Sequence, residues 1–171
     1  KVRRVARRWQ RRLSGPAERQ ADGPVDARWT EYMDWLLYAN PGMLQRGNVY
    51  CFDYALRHLP SPSPIVEIGS FCGLSANMLG YLKARHGVHN PLITCDAWQF
   101  ENANPGGMVG DSTTVSHAEY RTFVKESYVR NICMFSRHDL PYTIEAVSDE
   151  FFRAWAAGER VRLDGDFRVA L

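Results

Sequence analysis

Residues 64–75, with the sequence PIVEIGSFCGLS, decide the fold of this 171-residue chain. The first five predict a short buried strand, and Gly69 and Gly73 predict a turn that opens a helix. A strand, a glycine turn and a helix in this order are typical of α/β proteins that hold a nucleotide-like ligand at the carboxyl edge of a parallel sheet. The free amides at the start of such a helix favour a polar or anionic group.

The spacing of the turn differs from that of a dinucleotide-binding fingerprint. It reads G-x-x-x-G-x-S, Phe71 stands where the middle glycine of G-x-G-x-x-G would be, and Glu67 lies two residues before the first glycine. A carboxylate there suits a ligand that carries a cation better than a pyrophosphate. The segment resembles motif I of the class I S-adenosylmethionine-dependent methyltransferases, and its form E-I-G-S-F-C-G-L-S looks most like the small-molecule O-methyltransferases of the catechol and macrocin types.

The resemblance implies an S-adenosyl-L-methionine site on a Rossmann-like α/β fold, a doubly wound parallel sheet in three α/β/α layers. In that family the glutamate and the glycine loop hold the methionine part of the cofactor. The alternative is an ordinary βα turn with no ligand. The candidate cofactor-binding residues within the motif are Glu67, Gly69, Ser70, Phe71, Gly73 and Ser75.

A second short apolar run, residues 91–96, ends in the carboxylate of Asp96. An acid about 20 or more residues past the glycine turn, at the tip of the next strand, can accept hydrogen bonds from both hydroxyls of a ribose. Asp96 is therefore the strongest single candidate for a cofactor contact. Just beyond it, Trp98 and Phe100 are candidates for stacking on an adenine or shaping an acceptor pocket; the alternative is that they only anchor the loop that follows.

A third strand is predicted at residues 131–135 (NICMF), and Asp139 follows it. In methyltransferases of this fold, an acidic or polar group after the third strand often contacts the adenine amino group. The resemblance therefore implies an adenine contact for Asp139, with an ordinary loop aspartate as the alternative.

The chain divides into three parts. Residues 1–25 are predicted to be a basic extension and linker, residues 26–63 a helical N-terminal subdomain, and residues 64–171 the cofactor-binding half of the domain. Two helices come before an alternation of strands and helices, which predicts a parallel sheet covered on both faces. The predicted helices are 27–38 (capped by Asp26), 48–58 (capped by Asn48), 73–86, 116–129 (with a capping box of Ser116 and Glu119) and 148–158.

The number of strands is lower than the resemblance implies. The family has a seven-stranded sheet, whereas three strands are evident here, and the chain does not begin with methionine. We therefore expect a fragment, truncated after about the third strand and lacking the acceptor half. The segment Asp164-Gly165-Asp166 resembles a magnesium-binding segment of related enzymes, but no histidine follows it, and a hairpin turn explains it better. A divalent metal stays possible, with no ligands assigned and no catalytic base identified.

Composition limits the class of protein. With 45% hydrophobic and 23% charged residues, the chain reads as a globular protein without a transmembrane segment or signal peptide. Its four cysteines are far apart and form no C-x-x-C pair, which argues against a zinc site or disulfide framework and predicts a cytoplasmic location. Residues 1–13 are basic and amphipathic and could meet an anionic membrane surface or nucleic acid; a solvated extension is the favoured alternative.

These observations predict S-adenosylmethionine-dependent methyl transfer to a hydroxyl of a small molecule, such as a sugar or other natural product. One alternative is an NAD(P)-dependent oxidoreductase, which Phe71 and Glu67 disfavour. Another is a non-enzymatic, truncated α/β domain. The expected partner is the small-molecule acceptor, and a homo-oligomer is also possible.

Overall fold

The computed structural model describes residues 29–99, 103–104 and 106–158. Helices and strands alternate along these residues after two initial helices. In chain order the elements are α1 (Glu31–Ala39), α2 (Arg46–Arg57), β1 (Ile65–Ile68), α3 (Leu74–His86), β2 (Leu92–Cys95), α4 (His117–Phe135), β3 (Tyr142–Ile144) and α5 (Ser148–Ala156).

The three described strands form one parallel sheet in the order β1-β2-β3. Ile65 of β1 is paired with Leu92 of β2, and Ile93 of β2 with Tyr142 of β3. Because the strands are parallel, their carboxyl ends meet at one edge, which we call the carboxyl edge. The turn after β1, Asp96 after β2 and the residue after β3 therefore lie along the same edge.

Helices cover both faces of the sheet. Leu92 of β2 belongs to the main core with residues of α3 and α4, whereas Ile93 and Cys95 point the other way and pack against Phe151 of α5. The predicted α/β class with helices on both faces is confirmed, in a sheet smaller than a complete Rossmann-like fold. Val66 and Ile68 share the α5 face but stay 37% and 42% exposed, and among the described residues no strand pairs with the outer edge of β1.

The two N-terminal helices pack on α3 and share its core through Met33, Leu36, Val49 and Leu56. Helix α1 begins later than predicted, at Glu31, with the Thr30 hydroxyl accepting a hydrogen bond from the amide of Met33. Asp26, its predicted cap, lies outside the described residues. Helix α2 begins at Arg46, capped by Gln45, with Asn48 completing the cap from inside the helix. The domain boundaries stay predictions.

The strand predicted at residues 131–135 is wrong. These residues form the last turns of α4, because Val124, Tyr128 and Ile132 continue one buried stripe at a spacing of four residues. The apolar letters NICMF fit a strand or a buried helix equally well, and the helical spacing decides. Phe123, on the same helix, lies off this stripe and is exposed. The third strand is instead Tyr142–Ile144.

Candidate functional site

Residues 69–73, which we call the glycine turn, connect β1 to α3 at the carboxyl edge. Gly69 and Gly73 have φ angles of +81° and +87°, in the region that favours glycine. Gly73 caps α3, and a Cβ there would lie 3.2 Å from side-chain atoms of both Tyr128 and Ile132. The turn therefore needs glycine at this position both for its conformation and for space.

Two asparagines, one from α4 and one from the end of α1, bond to the backbone of the glycine turn. The side-chain amides of Asn40 and Asn131 each donate to the Cys72 carbonyl at 2.8 Å. The loop after Asn40 also lies against the start of α3, since a Cβ on Gly42 would come within 2.6 Å of Leu74. Sequence reasoning missed both asparagines because neither belongs to a local motif and both contacts span more than 30 residues.

Glu67, near the end of β1, has a partly satisfied carboxylate. The Ser75 hydroxyl donates to Oε1, while within the described residues Oε2 is buried without a hydrogen-bond partner, as is Oγ of Ser70. Burial raises the pKa of the Glu67 carboxyl; the hydroxyls of Ser75 and Ser70 oppose the rise, and the nearby charge of Asp96 adds to it. A buried carboxylate oxygen without a donor favours binding of a cation or an N–H donor from outside the chain.

A cavity of about 440 Å³ lies beside β1, walled by β1, α2 and the start of α3. Glu67 and Ser75 supply charged and hydroxyl groups to its lining, and Gly69 contributes backbone. A concave apolar site with a few polar groups is typical of small-molecule binding. Its apolar walls include Phe52, Leu56, Leu59, Ile65, Ile68 and Leu79.

Asp96, directly after β2, is bound to the glycine turn. Its Oδ2 accepts from the amide of Phe71 at 2.7 Å, and its Oδ1 accepts from the amide of Trp98 at 2.6 Å. A carboxylate has about four lone-pair positions, so each oxygen can accept one more hydrogen bond. Asp96 can therefore hold the turn and still accept hydrogen bonds from a ligand diol.

Trp98 is an internal anchor in this structure. The side chain is 4% exposed, packs on Tyr128 with ring centroids 5.1 Å apart, and donates from Nε1 to the Phe71 carbonyl at 2.9 Å. A buried indole offers no open face to an adenine, so stacking does not fit this geometry and anchoring does. Phe100 lies outside the described residues.

Asp139 does not join the site. It lies between α4 and β3, before the strand rather than after it, and pairs with the buried Lys83 of α3 at 3.0 Å. The prediction failed because the third strand was placed too early. The carboxylate that follows β3 is Glu145, whose side chain bonds to Arg121 at 2.6 Å and to Lys125 at 2.5 Å. The sequence signal for this third strand was the run of β-forming residues Tyr142-Thr143-Ile144.

No metal site was found in the part of the chain that the structure describes: no three His, Cys, Asp or Glu side chains are grouped to hold an ion there. Asp164 and Asp166 lie outside that part. Among the described helices, none has the length and apolarity needed to cross a membrane.

No known protein family matches this chain, and no curated protein matches it either. Among solved structures it is similar to the crystal structure of a calicheamicin methyltransferase, with a TM-score of 0.42 and 17% sequence identity. The alignment covers 81% of this chain and 64% of that one, so this chain spans less than two thirds of that structure. At this identity and score, any argument about activity rests on the site itself.

Proposed function

We propose that this chain binds S-adenosyl-L-methionine and forms the cofactor-binding part of a methyltransferase that acts on a hydroxyl of a small molecule. The observation that carries the proposal is Oε2 of Glu67, which is buried without a hydrogen-bond partner among the described residues, beside a glycine turn at the carboxyl edge of a parallel sheet. S-adenosyl-L-methionine carries an ammonium and a sulfonium, either of which would compensate this carboxylate. It also carries a ribose diol, which suits the free lone pairs of Asp96.

The residues present fit such a cofactor. Within the described residues, Oε2 of Glu67 and Oγ of Ser70 are buried without a hydrogen-bond partner, and Asp96 lies after the neighbouring strand at the same edge. In this proposal Glu67 and Ser70 hold the methionine part and Asp96 the ribose. When bound, the cofactor supplies an activated methyl group with a neutral thioether as its leaving group.

The chain's own residues contribute binding, orientation and exclusion of water. Methyl transfer is an in-line displacement, so positioning the two partners accounts for much of the rate. Apolar residues form most of the cavity walls around Glu67, and the lower dielectric beside them strengthens its attraction for a cation. No described residue is assigned as the base that takes the acceptor's proton. The four unpaired cysteines support a reducing compartment, and we place the protein in the cytoplasm.

Calorimetric titration with S-adenosylhomocysteine tests the proposal. We expect the folded chain to bind it and Glu67→Gln to bind at least tenfold more weakly, because a charge-assisted hydrogen bond is lost. The matched control is Glu150→Gln on the exposed first turn of α5, which should bind as the unaltered chain does. A folded chain that ignores S-adenosylhomocysteine but binds NADH in a fluorescence titration would favour the oxidoreductase instead.

A further inference from the structure

Within the described residues, Phe71 and Trp98 are the non-glycine residues with positive φ, at +47° and +48°. An aromatic residue in this region is strained and persists only where its surroundings impose the conformation. The two residues lie in different connections, one after β1 and the other after β2. What the two residues share is a hydrogen bond to one side chain.

That side chain is Asp96. Its two carboxylate oxygens accept from the amides of Phe71 and Trp98, at 2.7 and 2.6 Å. A charged acceptor makes stronger hydrogen bonds than a neutral one, so each bond can offset part of the strain. One side chain thus holds both strained residues.

A third hydrogen bond connects Trp98 directly to Phe71. The indole Nε1 of Trp98 donates to the carbonyl of Phe71 at 2.9 Å, so both backbone polar groups of Phe71 are bound from the β2 side. The indole is itself fixed, because it packs on Tyr128 and has Lys125 Nζ 5.6 Å from its ring centroid. Lys125 also bonds to Glu145 after β3. The glycine turn is thus connected to the ends of all three described strands.

We propose that Trp98 is a positioning residue for the ligand site: its indole N–H, acting with Asp96, holds Phe71 in the left-handed conformation and so fixes the shape of the glycine turn. The inference rests on the proposed function in so far as the turn binds S-adenosyl-L-methionine. Trp98 touches no ligand in this role. It acts through the backbone of Phe71.

The test is a double-mutant cycle with Trp98→Phe and Phe71→Gly, read by affinity for S-adenosylhomocysteine and by thermal unfolding. Phenylalanine keeps an aromatic ring on Tyr128 but removes the N–H donor. Glycine adopts positive φ without strain, so a chain with glycine at position 71 no longer needs the indole to hold the turn. We expect Trp98→Phe to weaken binding at least tenfold with Phe71 present and at most about threefold with glycine there. The fall in midpoint temperature should likewise be larger with Phe71.

Trp29→Phe is the matched control. It also removes an indole N–H bond, from Trp29 Nε1 to Asp34 at 2.6 Å, and that bond involves neither Phe71 nor Asp96. Its effects should be the same with Phe71 or glycine, since sites that share no partner are usually additive. Equal losses from Trp98→Phe in both backgrounds would mean that the indole only fills the core, and would overturn the inference.

The two proposals fail in different ways. If the unaltered, folded chain does not bind S-adenosylhomocysteine, the proposed function fails, and with it the ligand part of this inference. If that chain binds but Trp98 and Phe71 show no coupling in either readout, the positioning role fails and the proposed function stands.

Discussion

Asp53 and Glu67 both carry buried carboxylate oxygens, but their surroundings differ. The Asp53 side chain is 3% exposed, and each of its oxygens has a cationic or potentially cationic partner: His86 Nε2 at 2.7 Å and Arg57 at 2.9 Å. Glu67 has the hydroxyl of Ser75 on one oxygen and that of Ser70 nearby, but no cationic partner among the described residues. Asp53 belongs to α2 and its side chain bonds to α3, whereas Glu67 lines a cavity at β1.

The difference separates a structural carboxylate from a candidate binding one. Asp53 is compensated within the chain and connects α2 to the last turn of α3, so its environment is complete without a ligand. Glu67 is desolvated without full compensation, and such groups cluster at functional sites. Burial alone would not distinguish the two; the cationic partners of Asp53, which Glu67 does not have among the described residues, do.

The largest expected effect on stability comes from breaking the compensated carboxylate. Asp53→Ala should lower the free energy of unfolding by about 3 kcal/mol, because removing one partner of a buried pair leaves the others desolvated and unpaired. Urea unfolding measures the loss. The control is Glu126→Ala, which breaks an exposed pair with Arg130 on α4 and should cost about 0.5 kcal/mol or less. Equal losses in the two variants would contradict the structural role of Asp53.

Asp96 is an intermediate case, since both its oxygens are bound, but by neutral backbone amides. Asp96→Ala should lower both properties: the free energy of unfolding by about 2 kcal/mol and the affinity for S-adenosylhomocysteine at least tenfold. Asp96→Asn, which keeps one acceptor oxygen, should lie between the two. Unchanged affinity in a folded Asp96→Ala chain would remove Asp96 from the site.

Glu67→Gln should have little effect on stability, in contrast to Asp53→Ala. The amide keeps the size of the side chain and can still accept from Ser75, so the free energy of unfolding should change by less than about 1 kcal/mol. The affinity for S-adenosylhomocysteine should nevertheless fall at least tenfold, about 1.4 kcal/mol. Urea unfolding and calorimetry on the same preparation check both. A variant that loses stability but keeps its affinity would make Glu67 a structural residue like Asp53.

The smallest expected effect is the contribution of Glu67 to the pH dependence of the free energy of unfolding. Its pKa is raised in the folded chain, so the folded state holds the proton more tightly than the unfolded state, whose glutamate pKa is about 4.3. Stability from this group is present below about pH 4.3 and is lost as the pH rises through the higher folded pKa. The free energy of unfolding of the unaltered chain, minus that of Glu67→Gln, should therefore fall over this window. A difference that stays level would contradict the raised pKa.

Sequence reasoning predicted the parts of the site that are local in the chain. The strand before Gly69, the helix capped by Gly73 and the carboxylate after β2 all follow from short patterns within residues 64–96. Sequence reasoning failed where an apolar run fits either a strand or a buried helix, as at the end of α4. Because that run was predicted to be a strand, Asp139 was predicted to lie at the carboxyl edge, which is the wrong edge. The sequence also could not reveal long-range contacts, such as those of Asn40 and Asn131 with Cys72, because chain distance contains no information on them.

The outer edge of β1 has a consequence for handling the protein. Its backbone groups have no neighbouring strand within the described residues, and Val66 and Ile68 leave apolar surface on the flank. An uncovered strand edge can accept a strand from another copy of the chain. In any form of the protein in which nothing covers β1, dilution would therefore favour the monomer and concentration would favour β-paired aggregates. The calorimetric titrations need a concentration series in light scattering beside them.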